Sequence, residues 1–594
     1  MKQFFKYVLA TIVGLIIFGA IMSLLSVITL IGMASMPSTG GSIKNNSVLV
    51  LKLEGSLEER SQDNPFGQLF GNSLVSSQGL EDILAAIKRA ETEKNIKGIY
   101  IEAGSFAGAT PASLEELRNA LVKFKKTGKF IVAYGDQYTQ GTYYLSSVAD
   151  SILVNPSGIV EWSGMSLSSM YYKDLLDKVG VHMQVFKVGT YKSAVEPYLL
   201  NEMSEANKEQ MTVFSGEIWD KLTADVSKSR KLSVEKLNAL ADSAIVFADP
   251  VQYKKSGLVD KLTYSDDVPN VIANMMKVDK DSYNTVSVTT LANIASSEPK
   301  GTSGNIIAVY YADGEIVDEI SSSVMNRGSQ IVGKKTIEDL KKLADDDDVK
   351  AVVLRVNSPG GSAYASEQIW HQVMNIKSKK PIIVSMGGYA ASGGYYISCA
   401  ADWIVAEPTT LTGSIGIFGM FPEASELMNK KLGLHISTVK TNEYADFGQL
   451  SRPMNEGEKA VLQSYINRGY ELFTKRCADG RKISQDSIKV IGEGRVWTGV
   501  HAKQIGLVDQ LGNLEDAIAV AQKKANIKEY TVLSYPAKPS IFDNFMRQAT
   551  GDSYADKKMK EVFGEYYDMF NNVKNISSKT GIQASLPYYL MFNL

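Results

Sequence analysis

The sequence predicts two tandem α/β domains behind a single transmembrane helix. Three observations carry this: an internal repeat, short apolar strands alternating with glycine-rich turns and helices, and one long uncharged N-terminal stretch. At 594 residues the chain exceeds what one core supports, since cores stop growing near about 250–300 residues.

The repeat is read by laying residues 97–135, KGIYIEAGSFAGATPASLEELRNALVKFKKTGKFIVAYG, beside 350–387, KAVVLRVNSPGGSAYASEQIWHQVMNIKSKKPIIVSMG. Both run apolar strand, glycine-rich turn, helix, apolar strand. They continue as GTYYLSSVADSILVNPSGIVEWSG from Gly141 and GGYYISCAADWIVAEPTTLTGSIG from Gly393, a shift of 252, and end on GLVDKL at Gly257 and GLVDQL at Gly506. An amphipathic helix precedes each first strand, with Leu80, Ile83, Leu84 and Ile87 in one copy and Ile337, Leu340 and Leu343 in the other; these stripes are read as core packing. Short apolar strands alternating with helices imply largely parallel sheets buried on both faces. The first domain is placed at 46–297 and the second at 304–536, joined by SSEPKGTSG at 296–304. The tail, 537–594, carries Phe563, Tyr566, Tyr567 and Phe570 among mixed charges, is read as helical, and ends apolar in LPYYLMFNL. Packing on the body and contact with another subunit are both open for it.

No charged residue occurs from 7 to 43, and 8–33 is long enough for a bilayer, which needs about 20 apolar residues. A cleaved signal peptide is the competing reading, but its apolar region usually runs about 7–15 residues. Lys2 and Lys6 precede the span and 37–43 is neutral, so the positive-inside rule leaves the N-terminus in the cytoplasm and all that follows Lys44 outside. Residues 1–45 are therefore assigned to the cytoplasmic end, anchor and linker.

A formal net charge of −2 gives no electrostatic footprint for nucleic acid. Two cysteines, Cys399 and Cys477, make neither a disulfide framework nor a zinc set, and His182, His371, His435 and His501 show no metal-ligand spacing. No metal and no cofactor are expected.

Chemistry points to the second copy. Ser392 lies in YAASGGYYISCA, after an apolar strand at 381–385 with a turn and before a helix, where free backbone N–H groups stabilise an oxyanion. A second glycine-rich turn, NSPGG at 357–361, follows the neighbouring strand; Gly360 and Gly361 allow a ligand to approach the backbone. Both motifs are also good turn sequences. A serine hydroxyl needs a group to take its proton, and none of the four histidines stands in a catalytic context. Lys192, in KVGTYKSAVEPYLL of the first copy, stands among small and apolar neighbours, and burial lowers a lysine pKa by up to about 3–5 units. The aligned copies lose these groups reciprocally: Ser392 falls opposite Gln140, and Lys192 opposite Tyr444 or Ala445. Each copy holds half a dyad, so one site between the two domains is the economical reading.

The motifs AASGGY around Ser392, TYKSAVEP around Lys192, NSPGG at Asn357 and LTGSIGI at Leu411 resemble the signal peptide peptidase A (protease IV) family in its long two-domain form. The resemblance implies tandem domains similar to Clp protease and crotonase, and serine proteolysis by a Ser/Lys dyad without cofactor. It implies Ser392 as nucleophile, Lys192 as base, Ser414 as the hydroxyl that orients the lysine, and the N–H groups of Gly361 and Gly393 as oxyanion donors. It further implies a homotetramer on the outer face of the cytoplasmic membrane and, as substrates, signal-peptide remnants and unfolded peptides added as a strand beside Gly360, Ser362 and Ala363. The rival readings are a crotonase-like acyl-transfer enzyme and an inactive membrane-tethered scaffold.

Overall fold

The computed structural model describes residues 43–61, 77–297, 304–319, 329–538 and 581–586, with scattered helical residues between 3 and 22. The expected 8–33 span lies largely outside these, and among the described residues no helix is long and apolar enough to cross a membrane.

Each repeat builds a sheet from its apolar runs. In the first copy the order is Ser77–Gly79, Ser47–Glu58, Ile96–Ala107, Phe130–Tyr138, Ser151–Val160 and Lys261–Leu262, with Asn284–Ser287 also on Ser47–Glu58 and every described pairing parallel. In the second it is Val496–Thr498, Leu411–Gly413, Ile382–Ala391, Val349–Ser358, Ile306–Asp313 and Thr531–Tyr535, with Trp403–Ala406 and Gln510–Leu511 alongside. Consecutive residues such as Val352, Val353 and Leu354 are wholly buried, because helices cover both faces of such a sheet. The stripes Leu80, Ile83 and Ile87 on helix Leu80–Thr92, and Leu340 and Leu343 on helix Gly333–Asp345, pack into these cores.

The duplication extends to individual contacts. Tyr143 donates its hydroxyl to the Leu258 carbonyl (2.9 Å), and Tyr395 does the same to Leu507 (3.0 Å). Arg230 pairs with Asp260 at 2.7 Å, and Arg481 with Asp509 at 2.6 Å. Each of these arginines ends a 26-residue helix, Glu205–Arg230 or Glu456–Arg481, and each helix closes on a left-handed lysine, Lys231 or Lys482.

The copies meet through buried charge. Arg355 of the second binds Glu59 (2.9 Å) and Glu116 (2.7 Å) of the first, all three almost inaccessible, and Thr409 donates its hydroxyl to Glu115 at 2.8 Å.

A further sheet departs from the simple two-domain division. Its order is Gln330–Val332, Glu315–Val317, Gly360–Ser362, Gly581–Ser585, Phe418–Glu423 and His182–Lys187. The first-copy strand His182–Lys187 runs antiparallel to Phe418–Glu423 of the second over six residue pairs, and Phe186 packs into the second copy's core. The boundary at 297 therefore divides the two large sheets but not this segment, which finds its edge partner across the joint. The expectation of a helical tail is corrected at Gly581–Ser585, which is a strand paired on both edges; Phe563, Tyr566, Tyr567 and Phe570 lie outside the described residues.

Candidate active site

Strand Ile382–Ala391 runs longer than its apolar core suggests, with no intervening turn, and delivers Ser392 straight onto the short helix Gly393–Ser398. Pairing with Leu411–Gly413 extends the strand over Tyr389, Ala390 and Ala391. Ser392 takes φ 54° and ψ −112°, held by its N–H to the Gly413 carbonyl (2.8 Å) and by its own carbonyl accepting from Tyr396 N–H (2.8 Å). Such a conformation in a residue with a Cβ costs about 1–3 kcal/mol and persists only where surroundings over-determine it.

Lys192 arrives from the other copy at the end of strand His182–Lys187, after a turn at Gly189. It is wholly buried, with Nζ 2.8 Å from Ser392 Oγ, 3.1 Å from Ser414 Oγ and 3.2 Å from the Ser414 carbonyl. Burial alone pulls its pKa down to about 7, so the neutral amine is well populated near neutrality. Ser414, at φ 49°, completes a buried cluster of two hydroxyls around one amine.

The loop 492–495 clamps this lysine, a contribution that sequence reasoning missed. Tyr191 N–H donates to the Glu493 carbonyl (2.9 Å), Gly494 N–H to Ile415 (2.8 Å), and Ser414 N–H to Arg495 (2.7 Å). Gly494 sits at φ 79°, and a Cβ there would stand 2.7 Å from the Lys192 backbone. The glycines bracketing Glu493 in GEGR were the available signal, but nothing in sequence says what they approach.

Gly360 and Gly361 form, with Ser362, a strand beside Ser392, at φ 101° and 153°. Ser358 Oγ accepts from Gly360 N–H (3.1 Å) and donates to the Gly314 carbonyl, fixing the turn. A Cβ on Gly360 would lie 2.8 Å from Gly393 N, so the two glycines crowd one small space. Ser362 caps helix Ala363–Lys377 through the Ala365 N–H. Ala363 is the first residue of that helix and falls outside the strand pairing.

The corresponding place in the first copy is filled. Gln140 accepts from the N–H groups of Ser163 and Gly164 (both 3.0 Å) and donates to the Gly164 carbonyl. Trp162, which aligns with Ser414, is buried and donates to the Leu237 carbonyl. Opposite Lys192, Tyr444 is exposed.

Comparison with known proteins agrees with this architecture. A model of peptidase family S49 matches residues 123–279 and 375–528, one stretch in each repeat, and a model of Clp protease matches 314–406, supporting Clp-protease-like repeats. The chain is 38% identical to protease 4 of Salmonella typhi over 493 residues, 82% of this chain and 78% of that protein. It is 30% identical to the chloroplastic serine protease SPPA of Arabidopsis thaliana over 533 residues, 88% of this chain and 76% of that one. A shorter match, 35% identical over 237 residues (40% of this chain, 68% of the relative), is to the putative signal peptide peptidase SppA of Enterococcus faecium. The chain thus belongs to peptidase family S49, as a serine peptidase of the two-domain protease 4 type.

Proposed function

We propose that this peptidase is a membrane-anchored endopeptidase that degrades cleaved signal peptides and other extended apolar chains by a Ser392/Lys192 dyad. The observation that carries the dyad is the 2.8 Å contact between a wholly buried amine and a hydroxyl on strained backbone. Lys192 in its neutral form takes the Ser392 hydroxyl proton as Oγ attacks a peptide carbonyl, then hands it to the leaving amine; water releases the acyl group by the same route in reverse. Ser414 holds the amine toward Ser392. The N–H groups of Gly361 and Gly393 receive the developing oxyanion.

Substrate enters as an added strand on Gly360–Ser362, which requires an extended chain and excludes folded ones. The uncharged 8–33 stretch supports an anchor with the repeats on the outer face of the cytoplasmic membrane, where signal-peptide remnants are produced. The name of the Enterococcus relative supports the same substrate class. Assembly as a homotetramer belongs to this reading through the family resemblance. The acyl-transfer and scaffold alternatives lose ground to the peptidase family membership.

A serine-directed fluorophosphonate tests the dyad. Wild-type protein takes the label on Ser392, and Lys192→Ala abolishes it while circular dichroism stays unchanged. Labelling that persists in a folded Lys192→Ala protein removes the lysine from the mechanism.

A further inference from the structure

Lys192 lies between strand His182–Lys187 and the one-turn helix Ser193–Val195, outside both. Backbone in that situation finds its hydrogen-bond partners in side chains and neighbouring loops. Besides the loop 492–495, the first two turns of helix Glu205–Arg230 supply them. Gln210, 1% exposed, donates Nε2 to the Tyr191 carbonyl (3.1 Å) and to Ser193 Oγ (2.9 Å), one residue on each side of the lysine. Ser193 Oγ in turn donates to Asn207 Oδ1 (3.0 Å), which also stands 3.1 Å from the Gln210 nitrogen. The two hydrogens of one amide thus go to the two flanks of a single residue.

The other end of the same amide reaches the second copy. Gln210 Oε1 accepts from Val496 N–H at 3.2 Å. Val496 pairs with Gly413 on strand Leu411–Gly413, the Gly413 carbonyl accepts the Ser392 N–H (2.8 Å), and the Arg495 carbonyl accepts the Ser414 N–H (2.7 Å). One neutral side chain therefore bridges the backbone beside Lys192 and the backbone that orients both hydroxyls. Its nitrogen and oxygen are not interchangeable, because a carbonyl faces one end and an N–H the other. The charges around this segment are Lys187 at the Lys192 carbonyl (3.4 Å), Glu493 at the Thr190 N–H (3.3 Å) and Arg495 paired with Glu209 (2.8 Å); all keep some contact with solvent, whereas Gln210 is buried and uncharged. The long helices begin at Glu205 and Glu456, so the residue matching Gln210 in the second copy is Val461, which is 53% exposed. The copy without the lysine does not keep the amide.

We infer that Gln210 is a positioning residue for the peptidase reaction, its amide setting the reach of Lys192 to Ser392 across the joint between the repeats. This rests on the dyad reading above. Gln210 touches neither reacting atom; it acts by holding Tyr191 and Ser193 in register with Val496. A misplacement of about 1 Å between base and nucleophile costs about a hundredfold in rate. Neutrality matters beside reach. Burial holds the Lys192 pKa at about 7, and a carboxylate in place of the amide favours the protonated amine, which cannot accept the serine proton. An ionised carboxylate also offers the Tyr191 carbonyl an acceptor where it needs a donor.

The test is steady-state kinetics of the full chain in detergent on a fluorogenic peptide, followed across pH, with fluorophosphonate labelling of Ser392 alongside. Gln210→Met, close in volume and without the hydrogen bonds, is expected to lower kcat about ten- to a hundredfold with KM little changed, and to slow labelling by the same factor. Gln210→Glu is expected to move the rise of kcat/KM from about 7 upward by about one pH unit. Gln140→Ala, a buried amide lost away from the dyad, is the control for a structural role: it lowers stability and moves neither kcat nor the pH limb. Where Gln210→Met does not fold, Ser193→Ala takes its place; a loss of about threefold in kcat supports the role and wild-type kcat overturns it. Wild-type kcat in folded Gln210→Met, or an unmoved limb in folded Gln210→Glu, overturns the positioning role, while an unlabelled Lys192→Ala protein leaves the dyad standing. Labelling that persists in folded Lys192→Ala protein overturns the dyad reading and this inference with it.

Discussion

The two repeats share sheet order, long helices and even paired tyrosine and arginine contacts, yet where one carries the buried Ser392 and Ser414 hydroxyls the other carries a plug. At the position of Ser392 the first copy carries Gln140, whose amide saturates the backbone of Ser163 and Gly164. Where the second copy has Ser414, the first has a buried tryptophan. Fold and chemistry are separable layers: contacts that hold the scaffold are duplicated, while polar groups that would be costly to bury unpaired are kept once and replaced by satisfied ones in the other copy.

The sharpest way to break that contrast is at the lysine. Lys192→Met is expected to reduce kcat by roughly a thousandfold or more, as loss of a nucleophile's base does. The same variant is expected to be the more stable protein. The folded pKa, about 7, lies below the ordinary 10.5. Between these values the unfolded chain holds the extra proton, so wild-type stability rises with pH across that window. The advantage of methionine is therefore largest below pH 7, up to about 5 kcal/mol before the lost hydrogen bonds are subtracted, and fades toward pH 10.5. Thermal melts across pH check it. In wild-type enzyme kcat/KM is expected to rise with pH through about 7 and level off; a flat profile contradicts a lysine base.

A smaller effect sharpens the comparison at the clamp. Gly494→Ala places a methyl 2.7 Å from the Lys192 backbone on a left-handed glycine, and kcat is expected to fall by about ten- to a hundredfold with KM little changed. Steady-state kinetics on a single peptide separates the two. Least of all, Gln140→Ala leaves peptidase activity intact and lowers stability by about 1–3 kcal/mol, because two buried N–H groups lose their acceptor. Chemical denaturation beside an activity assay checks that the plugged copy takes no part in turnover.

Much of this arrangement was legible in the sequence because a duplication provides its own control. Periodic apolar runs gave the strands and stripes such as Leu80, Ile83 and Ile87, and reciprocal loss picked out Ser392 and Lys192 without any distance. What stayed hidden was long-range: that His182–Lys187 crosses into the other repeat's sheet, that Gly494 rests on the lysine backbone, and that an apolar tail read as helical supplies a strand. Strand partners and close approaches depend on which edge is left open after the rest has folded, and no local pattern records that.

Lys192 and Ser392 stand 200 positions apart and belong to different repeats. A chain made from its N-terminus presents the amine long before the hydroxyl exists, and the hydroxyl is useless until its sheet has formed. On the proposed dyad, hydrolytic power therefore arrives last, as a certificate that both halves have docked, and an unfinished molecule has no means of attacking its unfolded siblings.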